Sequence, residues 1–298
     1  MATFRSEFIE TGQPGVCIHV SLSETTSPAP PESAPTVVFL HFWGGSTRTW
    51  TSVPARVAAA AAGYRTASID FRGWGLSTGP ADAAAYSIAQ LADDVVTVLT
   101  KLNLQRRRVV LVGVSMGAKV AQVVAYRLIA KDPTSVAAVI LASPAPATAL
   151  QLPNDMREQQ LHAYDTPESA SFVARNVLTH AFQGANEGKP LPGFVVEDML
   201  RGNPPARAAW PAYAMGEDVT ATSLSSLAAP PPPVLVLAAE KDIVEPLDRV
   251  KSSVLACIPG ARLEVVAGAG HLSSIDAPDA VADAIVRFVN TATRQTAV

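Results

Sequence analysis

Six short apolar runs, each followed by a helical pattern, restrict this chain more than any other feature of its sequence. They are Val37 to His41, Arg65 to Asp70, Val109 to Val114, Val136 to Ala142, Val234 to Ala239 and Arg262 to Val266. Continuous Val, Leu and Ile runs separated by helices imply a parallel sheet buried on both faces, the helices supplying the crossovers that parallel strands need. The sequence therefore predicts an α/β fold around a mostly parallel sheet. Ahead of these runs, the segments around Phe8 to Glu10 and Val16 to Leu22 predict an antiparallel opening hairpin, because Val16, Ile18 and Val20 recur at period two. The proline-rich stretch from Ser23 to Thr36 can sustain neither ladder nor helix and predicts an exposed loop. The alanine-rich residues Val57 to Ala62 predict a buried helix capped by Gly63.

The alternation is interrupted once, between about Pro144 and Ser226. Helical patterns at Asn154 to Ala163, Pro167 to Phe182 and Val195 to Arg201 replace it, broken by the turn-rich stretch Gly184 to Gly193. The expected organisation is a core in two parts, residues 1–146 and 227–298, with an all-helical insertion at 147–226. The prolines Pro230 to Pro233 give the second part a stiff, extended lead.

With 298 residues the chain can bury roughly three quarters of its unfolded surface, so core size is no constraint. A net charge of −3 excludes a nucleic-acid binder, which needs clustered cations for phosphates. The basic run Arg106-Arg107-Arg108 reads as a solubilised turn before a strand. The amino-terminal MATFRSEFIETGQPG lacks the apolar region of a secretory signal, and no run of eighteen apolar residues occurs. The expectation is a cytoplasmic, soluble protein without a membrane span. Cys17 and Cys257 are expected to be small apolar fillers, with an isolated bridge left open. Neither a His-Glu-x-x-His pair nor paired cysteines nor a phosphate-binding glycine loop occurs, so no metal and no cofactor is expected.

In a parallel sheet, ligands bind beyond the carboxyl ends of the strands. Past one such end stands Gly113-Val114-Ser115-Met116-Gly117, with a strand expected over Arg108 to Val114 and a helix over Met116 to Ile129. A serine at this strand-to-helix turn is forced into a strained backbone, and the two glycines leave room for the close packing that results. Its hydroxyl then sits at the positive end of a helix, as a nucleophile should.

The order of elements and the GVSMG turn resemble the α/β-hydrolase family over nearly the whole chain. The resemblance implies about eight strands, a helical cap after the sixth, and nucleophile, acid and base in that chain order. Of the five histidines, His271 alone follows the last strand, in Gly268-Ala269-Gly270-His271-Leu272, and is the expected base; His19 lies in an early strand, and His162 and His180 lie in the cap. The expected acid is Asp242 in Glu240-Lys241-Asp242-Ile243-Val244-Glu245-Pro246, with Glu240 as the alternative. Asp70 and Arg72, in a stretch similar to the family's D-x-R-G-x-G-x-S turn, are expected to organise their loop. The oxyanion donors implied are the backbone N–H of Met116 and that of Trp43, with Phe42 as the alternative to Trp43. His41-Phe42-Trp43-Gly44-Gly45-Ser46 resembles the family's H-G-x-x-G loop but carries Phe42 where glycine is common. His41 itself is expected to bond backbone.

Serine at the turn disfavours the dehalogenase and epoxide-hydrolase chemistries of the family, which use aspartate there. The likeness is strongest to the esterase, lactonase and cofactor-free haloperoxidase group. The function expected is hydrolysis of a carboxylic ester or lactone of a small apolar or aromatic acid through an acyl-enzyme. A cofactor-free perhydrolase or oxygenase, a C–C bond hydrolase and a non-catalytic small-ligand receptor are the alternatives. Met156, Leu161, Tyr164, Phe172, Phe182, Trp210 and Tyr213 are the cap's bulky candidates for choosing the small-molecule substrate, about half of them expected only to pack the cap onto the core. Oligomeric state is not legible.

Overall fold

The computed structural model describes residues 2–24, 34–60, 63–183, 190–228 and 231–295. Eight strands form one sheet in the order β1-β2-β4-β3-β5-β6-β7-β8. They are β1 (Phe4–Glu10), β2 (Cys17–Ser23), β3 (Thr36–Leu40), β4 (Arg65–Ile69), β5 (Val109–Val114), β6 (Val136–Ala142), β7 (Val234–Ala239) and β8 (Arg262–Val266). The opening hairpin pairs antiparallel, β2 joins β4 antiparallel, and every pair from β4 through β3 to β8 is parallel. All residues of β3, β5, β6 and β7 are buried, which is why these strands read as unbroken apolar runs.

Helix α1 (Val53–Ala58) packs on the last helix, α10 (Pro278–Gln295), while α2 (Ile88–Lys101) packs on α3 (Met116–Lys131). A reciprocal capping box between Ser87 and Gln90 starts α2, satisfying amides that the first turn leaves open. Helix α1 stops at Ala58, short of the alanine run expected to continue it, and Gly63 follows with φ +60°. Residues 61 and 62 of that run, most of the proline-rich stretch (25–33), 184–189 of the turn-rich stretch and 229–230 lie outside the described residues.

Between β6 and β7 the chain forms α4 (Asn154–Leu161), α5 (Pro167–Val173), α6 (Gly193–Arg201) and α7 (Pro204–Ala212), with α8 (Leu247–Ser253) and α9 (Ser273–Asp276) following in the second part of the core. The single helix expected from Pro167 to Phe182 instead widens after Val173 into a π turn over Ala174–Leu178, closed by Thr179, whose amide and hydroxyl both donate to the Ala174 carbonyl. Helix α7 was hidden by Pro204, Pro205 and Pro211; two of these stand in its first turn, where a missing N–H costs nothing, and Asn203 caps the turn by accepting from the Ala206 amide. The two cysteines are unbridged; Cys17 is partly covered, but Cys257 is exposed and fills no apolar space. Among the described residues, no helix is long and apolar enough to cross a membrane.

Candidate active site

The turn between β5 and α3 holds Ser115 at φ 55°, ψ −119°. A non-glycine residue there stores roughly 1–3 kcal/mol of strain and needs its surroundings to hold it. The Ser115 amide donates to Ala142 in the neighbouring strand, and its carbonyl accepts from Ala118 and Ala145. The flanking glycines are required by contact: a Cβ on Gly117 would meet the carbonyl oxygens of Leu40 and His41, and one on Gly113 would meet that of Gly117. Helix α3 is thus drawn against the end of β3. The Ser115 side chain does not cap its own helix, and the residue lines a cavity of about 660 Å³.

His271 reaches the same cavity from the loop after β8. Its Nδ1 stands 2.9 Å and 3.1 Å from the two carboxylate oxygens of Asp242, both residues being buried. Asp242 Oδ1 also accepts from the amides of Val244 (2.8 Å) and Glu245 (2.9 Å). Burial works against charge on Asp242, yet His271 and the Glu245 amide hold the carboxyl below its ordinary value. Burial likewise opposes charge on His271, but Asp242, followed by Glu245, carries the imidazole above its ordinary value. Glu240, the other carboxylate of this loop, is exposed and accepts from the Gly268 amide instead.

The histidine loop is tied down by a residue that sequence reasoning missed. Asp276 of α9 accepts from the amides of Gly270 (2.7 Å), His180 (2.8 Å) and Ala181 (3.1 Å), joining this loop to the end of the π turn. The Leu272 amide donates to Leu178 across the same seam.

The loop after β3 forms the opposite wall. His41 Nε2 accepts from the Phe71 amide at 3.0 Å, so its Nδ1 carries the proton and donates to the Phe42 carbonyl at 2.6 Å. Burial depresses its pKa despite the nearby Asp70. Asp70 and Arg72 organise backbone: Asp70 accepts from Leu76 N–H and His19 Nδ1–H, while the buried Arg72 makes a bidentate pair with Asp94 at 2.6 Å and 2.7 Å. The Trp43 carbonyl accepts from the Tyr164 hydroxyl at 2.9 Å, the two rings stack 4.2 Å apart, and Trp43 Nε1 donates to the Arg207 carbonyl. Gly44, at φ +99°, lies so close under the Tyr164 ring that a Cβ would collide with it. The backbone amides of Phe42, Trp43 and Met116 hold no partner among the described residues.

Of the bulky cap candidates, Met156, Tyr164, Phe172 and Trp210 line the cavity, and Leu161, Phe182 and Tyr213 do not. Tyr213 bonds Tyr86 N–H and the Ala83 carbonyl instead. Val177 and Leu178 of the π turn and Val244 of the Asp242 loop complete an apolar lining, with Gln159, Gln160, His162 and Ser169 as its other polar members beside Ser115 and His271. Two buried ionisable groups lie behind the site. Lys119 of α3 donates to the carbonyls of Thr148 and Met215, and burial pushes its pKa down to about 8; burial pushes Glu245 up to about 7. Neither carried a sequence signal beyond its charge. Among the described residues, no three His, Cys, Asp or Glu side chains cluster so as to hold a metal ion.

Comparison with known proteins gives a consistent likeness. An uncharacterized protein of Mycobacterium tuberculosis is 28% identical over 275 residues, covering 87% of this chain and 76% of that one. An esterase from Exiguobacterium antarcticum superposes with a TM-score of 0.77 at 22% identity, covering 96% of this chain and all of the other. An enol-lactonase from Burkholderia xenovorans LB400 superposes with a TM-score of 0.75 at 19% identity, covering 95% and 100%. The sequence profile of the alpha/beta hydrolase family matches residues 37–284. The strained serine turn, the sheet order and this match over most of the sequence lead to one conclusion: the chain belongs to the alpha/beta hydrolase family.

Proposed function

We propose that the protein is a serine hydrolase acting on carboxylic esters or lactones of small apolar or aromatic acids, with Ser115 as nucleophile, His271 as base and Asp242 as the carboxylate that orients it. One observation carries the reading: the strained Ser115 turn and the Asp242–His271 pair open onto the same apolar cavity. With Nδ1–H donated to Asp242, His271 Nε2 is left to accept a proton. Ser115 Oγ attacks the acyl carbon as its proton passes to Nε2, and the carbonyl electrons move onto oxygen. The Met116 amide and that of Trp43, or alternatively Phe42, stabilise this oxyanion, each donor contributing about 3 kcal/mol. The imidazolium then protonates the leaving alcohol, and water repeats the sequence on the acyl-enzyme to release the acid. No step calls for a metal or cofactor.

Residues 147–226 act as the cap, their helices α4, α5 and α7 and the π turn closing the cavity over the strand ends. The esterase and lactonase among the structural neighbours agree with ester chemistry. p-Nitrophenyl esters of graded acyl length test the proposal. Turnover that Ser115→Ala abolishes is expected, with kcat/KM rising from acetate to a medium or aromatic acyl group and then falling as the cavity fills. The rising limb of the pH profile lies above the ordinary imidazole range, since activity needs neutral His271 and its pKa is raised. A rate independent of Ser115 would refute the reading.

A further inference from the structure

Glu245 closes the loop that carries Asp242, and only 2% of its surface is exposed. Its amide donates to Asp242 Oδ1, which makes its backbone continuous with the acid–base pair. Its Oε2 is nevertheless buried with no hydrogen bond, and Arg249 of α8 comes only to 3.7 Å. A buried carboxylate that serves the fold alone is normally satisfied by donors, because leaving it bare costs stability. The charged groups whose fields reach its carboxylate are His271 from the loop after β8, Arg249 of α8, Asp242 from its own loop and Lys119 of α3.

We propose that Glu245 is a second positioning carboxylate for His271, whose negative charge supports the imidazolium formed when Ser115 gives up its proton. The inference rests on the reading of Ser115 and His271 as nucleophile and base. Among the carboxylates facing His271, Asp242 is held ionised well below neutrality, whereas burial raises Glu245 to about 7. An ionised Glu245 therefore favours a protonated His271, and a protonated His271 favours an ionised Glu245.

The test is Glu245→Gln, which keeps volume and removes the charge. The rising limb of kcat/KM should move down by about one pH unit, as expected when a nearby opposite charge is removed. The plateau above it should fall about 3- to 10-fold through kcat with KM unchanged, because the transition-state charge loses support. The His271 ring resonances should titrate lower by the same shift. A lowered melting temperature with an unmoved His271 titration would show that Glu245 serves packing alone and overturn the inference. Should the variant not fold, NMR of the unsubstituted protein gives the answer: a second step in the His271 ring shifts at the pH where carboxyl-labelled Glu245 titrates supports the inference, and His271 shifts without that step overturn it. Turnover that survives Ser115→Ala would overturn the hydrolase reading and this inference with it, whereas Ser115-dependent turnover with an unmoved His271 titration overturns this inference alone.

Discussion

The floor of the cavity and its cap-side wall are built by different physics. On the floor, Ser115, His271 and Asp242 are placed by backbone: a positive φ, two glycines packed against carbonyls, and carboxylates receiving amides. On the wall, side chains of short helices do the lining, and the outer ones remain wet, Met156 at 48% and Phe172 at 63% exposure. A floor fixed by steric necessity can specify a reaction geometry closely. A wall of half-exposed apolar side chains specifies only shape and polarity. The reaction should therefore be brittle to substitution and the substrate range tolerant.

Substitutions sharpen this contrast. Asp242→Asn should have the largest effect, lowering kcat about 10³- to 10⁴-fold in steady-state assays because the imidazole loses the carboxylate that fixes its tautomer and offsets its charge when protonated. A loss below tenfold would show that the floor is less exacting than described. Gly117→Ala should destabilise by about 1–3 kcal/mol in chemical unfolding, since its Cβ meets the Leu40 and His41 carbonyls and α3 must retreat from β3. An unchanged midpoint would mean that α3 is not held there. Tyr164→Phe stands at the border of the two regions. It strips the Trp43 carbonyl of its donor while keeping the stacked ring, and should cost about tenfold in kcat with little change in KM. Phe172→Ala should have the smallest effect, about 2- to 5-fold in KM and confined to bulky acyl groups, since the ring is mostly in water already. A collapse of kcat with acetate esters would erase the distinction between floor and wall.

The same contrast explains what could be read from sequence. Strands β3, β5, β6 and β7 announced themselves because burial on both faces favours unbroken apolar runs, and the serine turn did so because only glycine fits at 113 and 117. Helix α7 was obscured by its prolines, whose tolerance depends on falling in a first turn that sequence alone does not locate. The widening at Ala174–Leu178 left no trace, because it is set by how the chain meets the histidine loop through Leu178 and the Asp276 carboxylate. Asp276, Lys119 and Glu245 look like surface charges in the sequence. Their importance arises only when tertiary packing buries them or aims three amides at one oxygen pair. Among the seven bulky cap residues, the sequence could not separate those facing the cavity from those packing beneath it, since both kinds are apolar and helical.

Modification of Ser115 tests the central claim most directly. Incubated with a fluorophosphonate, the protein should gain the mass of one phosphonyl group, carried on the peptide containing Ser115, and lose all ester turnover in step with labelling. Ser115→Ala should gain no mass while keeping the melting temperature of the folded protein. A folded protein that stays unlabelled at Ser115, or that turns over esters without it, would contradict the account.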